Sequence, residues 1–405
     1  MANQLAVMMA GPTAWHCFFP GEGEGAQQDV GGTTTTPAAL VDQWRRRCSS
    51  SSSSSPIPVL LLLHANGFGA ATYAPLARRL RTHLGRSSLL ASAPFLAPDM
   101  PGQGASSGAF PASLGRPLTP ARFASWLLSA LAAQGLLNAE TGNGAPPSSS
   151  SIQLYCFAHS GGAATALQAE AQRPGTFAAV FAYEPVEAPS AVRDAQAREL
   201  MLTSAGESKG EPLARMARKR RAFFPGGRAA VRASLAAKPP FRELCPEALD
   251  LYVQTQLEEV DVGLDVSTSS STPRPVRLRC APEVEAEYFQ AFSRPPHAWQ
   301  HERVRCPVAL ACGGALGRGL GESGGKAAPA GGPPQKEGPH DALAAWAPLT
   351  ARALARGEMV PPFARLGHLG PLEDPDAVGG AAAAFFLRAE AATASAAATT
   401  ARSRL

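Results

Sequence analysis

The feature that most constrains this chain is a strand that turns directly into a helix at Ser160. The apolar run Ile152–Phe157 predicts a buried strand, and the Ala-rich run Gly162–Gln172 predicts a helix. A turn this tight strains the backbone of the serine and needs small neighbours, which Ala158 and Gly162 supply. We therefore expect an exposed Ser160 hydroxyl. The N–H of Gly161 should lie at the helix N-terminus, where it can donate to an oxyanion.

Strands and helices alternate along the chain on both sides of this turn. Such alternation predicts a parallel sheet with helices on both faces, because each crossover helix packs back against the sheet. The predicted strands are Val59–Leu63, Phe95–Pro98, Ile152–Phe157 and Ala178–Tyr183, and the predicted helices are Tyr73–Leu84, Ala121–Gln134 and Gly162–Gln172. The fold class is therefore α/β.

The whole chain divides into five predicted units. They are residues 1–58 with the strands Leu5–Met9 and Trp15–Phe19 and low-complexity insertions, 59–187 as the first part of an α/β core, 188–303 as a helical cap, 304–392 as the second part of the core, and 393–405 as a flexible tail. The cap is predicted because helical periodicity replaces the alternation there.

Both later units contain further predicted elements. In the cap these are helices at Ala191–Ser204, Glu211–Phe224, Gly227–Ala236, Pro246–Glu259 and Glu283–Phe292, with one short strand at Val276–Cys280. In the second core part these are strands at Cys306–Cys312 and Pro362–Leu366 and helices at Asp341–Ala355 and Ala377–Ala391.

Composition excludes several classes of protein. The 405 residues are 45% hydrophobic and 17% charged, and the net charge of +5 is too small and too dispersed to predict nucleic-acid binding. No apolar run approaches the roughly 18 residues that a membrane span needs, so we expect no transmembrane segment. The seven cysteines include no Cys-x-x-Cys pair, which favours reduced thiols over a disulfide framework or a metal site. We expect neither a metal nor a cofactor.

Three further segments accompany the turn in a recognisable order. The first core strand ends in His-Ala-Asn-Gly-Phe at His64–Phe68, Asp-Met-Pro-Gly-Gln-Gly begins at Asp99, and Gly-His-Leu-Gly-Pro-Leu-Glu-Asp-Pro begins at Gly367. Together with the Ala-x-Ser-x-Gly turn, they resemble the α/β-hydrolase superfamily over about Val59–Ala391. The resemblance implies an α/β-hydrolase fold, which is a mostly parallel sheet with helices on both faces and, here, an inserted helical cap.

The resemblance also implies roles for the groups around Ser160. Serine is a weak nucleophile until a base takes its proton, and His368 occupies the position of that base. One N–H of the oxyanion hole should come from Gly161. The second should come from Ala65 or Asn66 in the loop after the first core strand, and Asn66 could also offer its side-chain amide.

The acid of the triad is the open assignment. Most members of the superfamily carry it after the seventh strand, where this chain has glycines just beyond Cys312. Some capped relatives place it after the sixth strand, where Glu184 stands, and we expect its carboxylate within roughly 3–4 Å of a His368 ring nitrogen. Asp341 and Glu322 are the alternative acids. A structural carboxylate bonded to loop amides is the other interpretation of Glu184.

A serine nucleophile implies an acyl-enzyme, whereas the epoxide hydrolases and haloalkane dehalogenases of this superfamily use Asp. The leading hypothesis is a serine hydrolase, resembling esterases, lipases and thioesterases, that cleaves a carboxylic ester or thioester in a small-molecule acyl substrate. The alternatives are a carbon–carbon bond hydrolase of the same fold and a non-catalytic ligand-binding protein. The cap segment Val276–Ala286 resembles that of capped hydrolases which include peroxisomal lipase-like and toxin-biosynthesis proteins.

The last three residues, Ser403, Arg404 and Leu405, form a close variant of the Ser-Lys-Leu peroxisomal address. Arginine keeps the positive charge that an import receptor would read, and the Ala- and Thr-rich residues before it favour an accessible tail. The sequence therefore predicts a peroxisomal location and an import receptor as partner, with the cytoplasm as the alternative location.

Overall fold

The computed structural model of the chain describes most of the predicted core and cap. The described residues are 5–10, 13–18, 37, 39, 41–43, 56–85, 88–108, 110, 114–137, 152–186, 210–261, 273–293, 301–314 and 350–402. The predicted helix Ala191–Ser204, the start of the predicted helix Asp341–Ala355, the alternative acids Glu322 and Asp341, and the address Ser403–Leu405 lie outside the described residues.

The strands form one large sheet and one small one. They are β1 (Leu5–Ala10), β2 (Thr13–Phe18), β3 (Ile57–Leu63), β4 (Phe95–Pro98), β5 (Ile152–His159), β6 (Ala179–Tyr183), β7 (Phe223–Phe224), β8 (Leu257–Glu259), β9 (Val276–Leu278), β10 (Val308–Ala311) and β11 (Gly357–Met359). The large sheet has eight strands in the order β1-β2-β4-β3-β5-β6-β10-β11, and the small one has the order β7-β9-β8.

The large sheet is mostly parallel, as predicted. β2 pairs antiparallel with β1 and with β4, whereas β4, β3, β5, β6, β10 and β11 run parallel to one another. The predicted N-terminal hairpin is therefore confirmed as β1 and β2. Because parallel strands end at the same edge of a sheet, the segments that follow β3, β5, β6 and β10 all meet at one edge.

Helices cover both faces of this sheet and also occupy the segment predicted as the cap. The α-helices are Ala74–Leu84, Leu89–Ser92, Pro120–Ala133, Gly161–Gln172, Gly210–Arg218, Gly227–Ala236, Pro246–Thr255, Pro282–Ser293, Gly370–Glu373 and Pro375–Arg402, and the 3₁₀ turns are Ala70–Tyr73, Gly104–Ser106, Phe241–Glu243 and His301–Arg303. Their sequence signals are local. For example, Thr119 caps the third α-helix by accepting from Arg122 N–H, and Pro120 fills its first turn.

Each buried strand contributes to two hydrophobic cores, because successive side chains point to opposite faces. Leu60 and Leu62 of β3 pack in the core that includes the helices Ala74–Leu84 and Pro375–Arg402. Leu61 and Leu63 pack in the core that includes the helix Pro120–Ala133 and the helix after Ser160. This is why β3 is a continuous apolar run rather than an alternating one.

Two predicted cap helices end earlier than expected. The predicted helix Glu211–Phe224 stops at Arg218, and the predicted helix Pro246–Glu259 stops at Thr255. The residues that follow form β7 and β8, which both pair antiparallel with β9. Helical periodicity did not reveal these strands, because their pairing partner lies tens of residues away along the chain.

Two predictions for the C-terminal part of the chain were also wrong. The last strand is Gly357–Met359, whereas Pro362–Leu366 contributes only an isolated bridge between Phe363 and Gly313. The two consecutive prolines before Phe363 have no N–H for a ladder and so end the pairing. Residues 393–402, predicted as part of a flexible tail, continue the final helix to Arg402, in keeping with the high helix propensity of alanine.

The packing of Phe181 against Phe157 in the centre of the sheet can be tested by substitution. Phe181 of β6 is fully buried and stacks on Phe157 of β5, with ring centroids 5.5 Å apart. We expect Phe181→Ala to lower the free energy of unfolding by about 3–5 kcal/mol, because it leaves a cavity between sheet and helices. Phe223→Ala, at a side chain that is 43% exposed, should change it by less than about 0.5 kcal/mol. Urea denaturation of both variants measures this, and equal losses would contradict the packing.

Candidate active site

Ser160 occupies the strained turn that the sequence predicted. It follows β5 as the N-cap of the helix Gly161–Gln172, with φ 56° and ψ −120°. Its N–H donates to the carbonyl of Tyr183 at the end of β6, at 2.9 Å. A Cβ at Gly162 would lie 2.7 Å from the backbone oxygen of His64, so only glycine fits beneath the turn. The sharp turn is thus held by a ladder bond on one side and by close backbone packing on the other.

His368 lies against the serine from the opposite end of the chain. Its Nε2 is 2.9 Å from Ser160 Oγ. The loop that carries it is held by the Tyr183 hydroxyl, which donates to the carbonyl of Gly367 at 2.8 Å. A Cβ at Gly370 would overlap the same hydroxyl, so this glycine allows the loop to pack against Tyr183. Strand β6 therefore positions the loop of the predicted base.

Glu184 completes a chain of three side chains. It follows β6 with φ 44°, is 4% exposed, and places Oε2 at 2.6 Å from His368 Nδ1. Its other oxygen accepts from the N–H of Gly313 at 2.8 Å. The distance to the ring falls inside the range expected from the sequence, although the catalytic role of Glu184 stays a prediction. Contact with a loop amide, the other interpretation, is also present.

The donor directions in this chain of side chains follow from the chemistry. A carboxylate can only accept, so His368 Nδ1 carries the proton that is shared with Glu184. In a neutral ring Nε2 then accepts a hydrogen bond from the Ser160 hydroxyl. This is the arrangement in which a histidine can act as general base toward a serine.

The predicted oxyanion donors separate into two groups. The N–H of Ala65 donates to the Tyr73 hydroxyl at 3.0 Å and is therefore already engaged. The side chain of Asn66 is engaged as well, because it donates to the carbonyl of Glu285 and accepts from Gln103, both at 3.1 Å. Backbone N–H groups then remain as the candidates. Gly161 and Asn66 carry them, and no bonded acceptor for either is found in the described part of the chain.

His64 braces this loop. Its Nδ1 donates to the carbonyl of Ala65, and its Nε2 accepts from the N–H of Met100, both at 2.9 Å. Complete burial lowers the pKa of His64, which favours the neutral ring that both bonds require. Gln103 adds a second brace by accepting from the N–H of Gly67 at 2.8 Å.

Comparison with known proteins supports the fold. No family model matches the sequence, and no curated protein matches it. Among solved structures, peroxisomal alpha-beta-hydrolase Lpx1 from Saccharomyces cerevisiae superposes with a TM-score of 0.56 at 14% identity, covering 95% of this chain and 87% of that one. E-2-(acetamidomethylene)succinate hydrolase superposes with a TM-score of 0.55 at 15% identity, covering 95% of this chain and 99% of that one. The chain has the α/β-hydrolase fold.

A third neighbour extends the range of chemistries found on this fold. The thioesterase domain from the curacin biosynthetic pathway superposes with a TM-score of 0.51 at 12% identity, covering 96% of this chain and all of that one. At these identities the likeness concerns architecture alone. In this chain, Ser160, Glu184 and the His368 loop meet at the edge of the sheet where the parallel strands β5, β6 and β10 end.

The helix Pro282–Ser293, in the segment predicted as the cap, reaches the site. Phe292 of the cap lies against Gly161, where a Cβ would be 3.2 Å from its ring. Glu285 lies against Gly67 of the oxyanion loop and is paired with Arg220, which also donates to the Tyr252 hydroxyl at 3.0 Å. The predicted cap therefore places one apolar ring beside Gly161 and one ion pair beside Gly67.

Sequence reasoning missed two side chains beneath the site. His159, the last residue of β5, has Nε2 at 2.7 Å from the carbonyl of His368 and Nδ1 at 2.6 Å from the Tyr73 hydroxyl. Burial lowers the pKa of His159 well below its usual value, and the charge of nearby His368 adds to the effect. The only sequence signal that His159 lies beneath the site was its position immediately before Ser160.

Within the described residues, no group of three or more His, Cys, Asp or Glu side chains is arranged to hold a metal ion. The described helices include none that is both long and apolar enough to cross a membrane.

The buried histidine makes stability depend on pH. Because the folded-state pKa of His159 is lowered, the unfolded chain binds a proton below about pH 6.5 that the folded chain does not, and stability falls as pH falls. Between pH 7.5 and 5.5 the loss of stability from this residue should be on the order of 1 kcal/mol. Urea unfolding at both pH values should show a smaller loss in His159→Gln than in the unmodified protein. Identical losses would exclude this contribution.

Proposed function

We propose that this protein is a serine hydrolase that cleaves a carboxylic ester or thioester of a small molecule through an acyl-enzyme. The observation that carries the proposal is the hydrogen-bonded chain from Ser160 Oγ through His368 to Glu184, at 2.9 and 2.6 Å. Its order is the one that activation of a serine hydroxyl by a general base requires. The superposition on a thioesterase domain supports including thioesters among the substrates.

The first half of the proposed reaction forms the acyl-enzyme. Ser160 Oγ attacks the carbonyl carbon of the substrate while its proton passes to His368 Nε2. The imidazolium that results is stabilised by Glu184 through Nδ1–H. The negative oxygen of the tetrahedral intermediate accepts from the N–H groups of Gly161 and Asn66. When the intermediate collapses, the proton on Nε2 goes to the departing alcohol or thiol.

The second half regenerates the serine. Water attacks the acyl carbon and gives a proton to His368 Nε2, and the same two N–H groups hold the second oxyanion. Collapse releases the carboxylic acid and returns the proton to Ser160 Oγ. The cap ring of Phe292 beside Gly161 limits water around the oxyanion, which strengthens the donors there.

The nucleophile can be tested by covalent labelling. Ser160→Ala should abolish labelling by a fluorophosphonate probe and lower kcat on the order of 10⁵–10⁶, since it removes the attacking oxygen. Ser125→Ala is the matched control, because Ser125 lies on the surface of the helix Pro120–Ala133 and bonds only to Ala121 and Gln172 in the described structure. Acyl p-nitrophenyl esters, acyl-CoA thioesters and β-diketones then rank the substrate classes. An unmodified protein that the probe does not label would support the ligand-binding alternative instead.

The acid has its own matched control. Glu184→Gln should lower kcat on the order of 10³–10⁴, because an amide does not stabilise the imidazolium or hold its tautomer. Glu170 is a second buried carboxylate, which accepts from the N–H groups of Gly175 and Phe177 at 2.9 and 3.0 Å. Glu170→Gln should therefore affect stability and leave kcat within about twofold. If both variants keep full kcat, Glu184 is a structural carboxylate only.

We further propose that the protein is peroxisomal and is recognised by an import receptor through Ser403, Arg404 and Leu405. The support is the tripeptide itself and the fold shared with a peroxisomal hydrolase. A fluorescent protein that carries the last twelve or so residues should concentrate in peroxisomes. A diffuse signal, together with an unchanged distribution of the full chain after removal of the tripeptide, would favour the cytoplasm.

A further inference from the structure

A buried chain of hydrogen bonds runs beneath the candidate site and joins its two halves. The N–H of Ala65 donates to the Tyr73 hydroxyl at 3.0 Å, and that oxygen is 2.6 Å from His159 Nδ1. The other ring nitrogen, Nε2, is 2.7 Å from the carbonyl of His368. Tyr73 and His159 are both fully buried. The chain starts in the oxyanion loop and ends in the backbone of the base.

Each bond in this chain has only one possible direction. The carbonyl of His368 can only accept, so His159 must carry its proton on Nε2. The Nδ1 atom of a neutral ring then accepts, so the Tyr73 hydroxyl donates to it. The oxygen of Tyr73 is left to accept from Ala65. Burial keeps His159 neutral, so no second positive charge lies beside His368 when that ring takes the serine proton.

This series of hydrogen bonds positions groups at both ends of the candidate site. At one end, Tyr73 takes up the N–H of Ala65 and leaves Asn66 as the loop's candidate oxyanion donor. At the other end, His159 holds the backbone of His368, whose ring is held by Glu184 at 2.6 Å. The base is thus fixed both through its carbonyl and through its side chain. Small displacements of either end would lengthen the bond between Ser160 and His368 or move the second oxyanion donor.

We propose that Tyr73 and His159 are positioning residues that hold the candidate oxyanion loop and the candidate base in one fixed arrangement. They touch neither the substrate nor the reacting oxygen and act through Asn66 and His368. The proposal rests on the proposed serine hydrolase function. It concerns residues to which neither the sequence motifs nor the fold assigns a role.

The decisive variant is Tyr73→Phe, which removes one hydroxyl and breaks both bonds that it makes. We expect the second-order rate of fluorophosphonate labelling and the kcat for p-nitrophenyl acetate to fall about 10- to 100-fold, less than the loss of an oxyanion donor outright. The KM should change by less than about twofold, because the substrate's binding surface is intact. A purely structural role would lower stability without this separation of kcat from KM.

Tyr155→Phe is the matched control. Tyr155 is also a fully buried tyrosine, but it lies on the sheet face that packs against the final helix, in contact with Phe386. Its variant should lose stability comparably and keep the labelling rate and kcat within about twofold. Equal kcat in Tyr73→Phe and Tyr155→Phe would overturn the proposal.

Variants at His159 test the other end and do not depend on Tyr73→Phe folding. His159→Gln keeps an N–H that can donate to the carbonyl of His368, whereas His159→Leu keeps none. We expect the labelling rate to be highest in the unmodified protein, lower in His159→Gln and lowest in His159→Leu, when the three are compared at equal folded fractions by urea denaturation. Equal rates in all three would overturn the proposal. An unmodified protein that is not labelled at all would instead contradict the serine hydrolase function, so the two failures are distinguishable.

Discussion

The pairing of β5 with β6 is the interaction on which the candidate site depends. Its parallel register places His159 opposite Tyr183, so the residues that follow, Ser160 and Glu184, leave the sheet side by side. Both have positive φ, and such a conformation costs on the order of 1–3 kcal/mol per residue unless its surroundings hold it. Here the ladder continues into the turn, since Ser160 N–H donates to the carbonyl of Tyr183. The strain is therefore confined to two strand ends that the sheet itself fixes, which also fixes the space that His368 enters.

Hydrogen bonds between buried loops extend this rigidity beyond the sheet. An unpartnered polar group is costly in a medium of low dielectric, so separating two loops that share such bonds is unfavourable. Gln103 joins the Asp99 segment to the oxyanion loop, and Asn66 joins that loop to the cap through the carbonyl of Glu285. Displacing the cap would therefore strip a partner from Asn66, whose backbone is a candidate oxyanion donor. The Asn66 side chain thus joins the segment predicted as the cap to the loop that carries a candidate oxyanion donor.

Local patterns in the sequence were enough for the strained turn and for every strand of the large sheet except β11. Apolar runs indicated the core strands, and small residues around Ser160 indicated the strained turn between strand and helix. Long-range pairing was not readable in this way. The cap strand Phe223–Phe224 carries a helical pattern up to its start, and only its partner β9 makes it a strand. His159 was missed for the same reason, because its partners Tyr73 and His368 come from distant parts of the chain.

Close packing at Gly313, just after β10, bears on which residue can serve as the candidate acid. Most members of the superfamily carry the acid after the strand that corresponds to β10, and the residue that follows Cys312 there is Gly313. A Cβ at this position would overlap the backbone oxygen of Leu366, in the segment that leads to the His368 loop, so no side chain can stand there. The close approach instead leaves the N–H of Gly313 free to donate to Glu184 Oε1 at 2.8 Å. Gly313, a position that has no room for a side chain, thus supplies a donor that binds the carboxylate of Glu184 on the neighbouring strand.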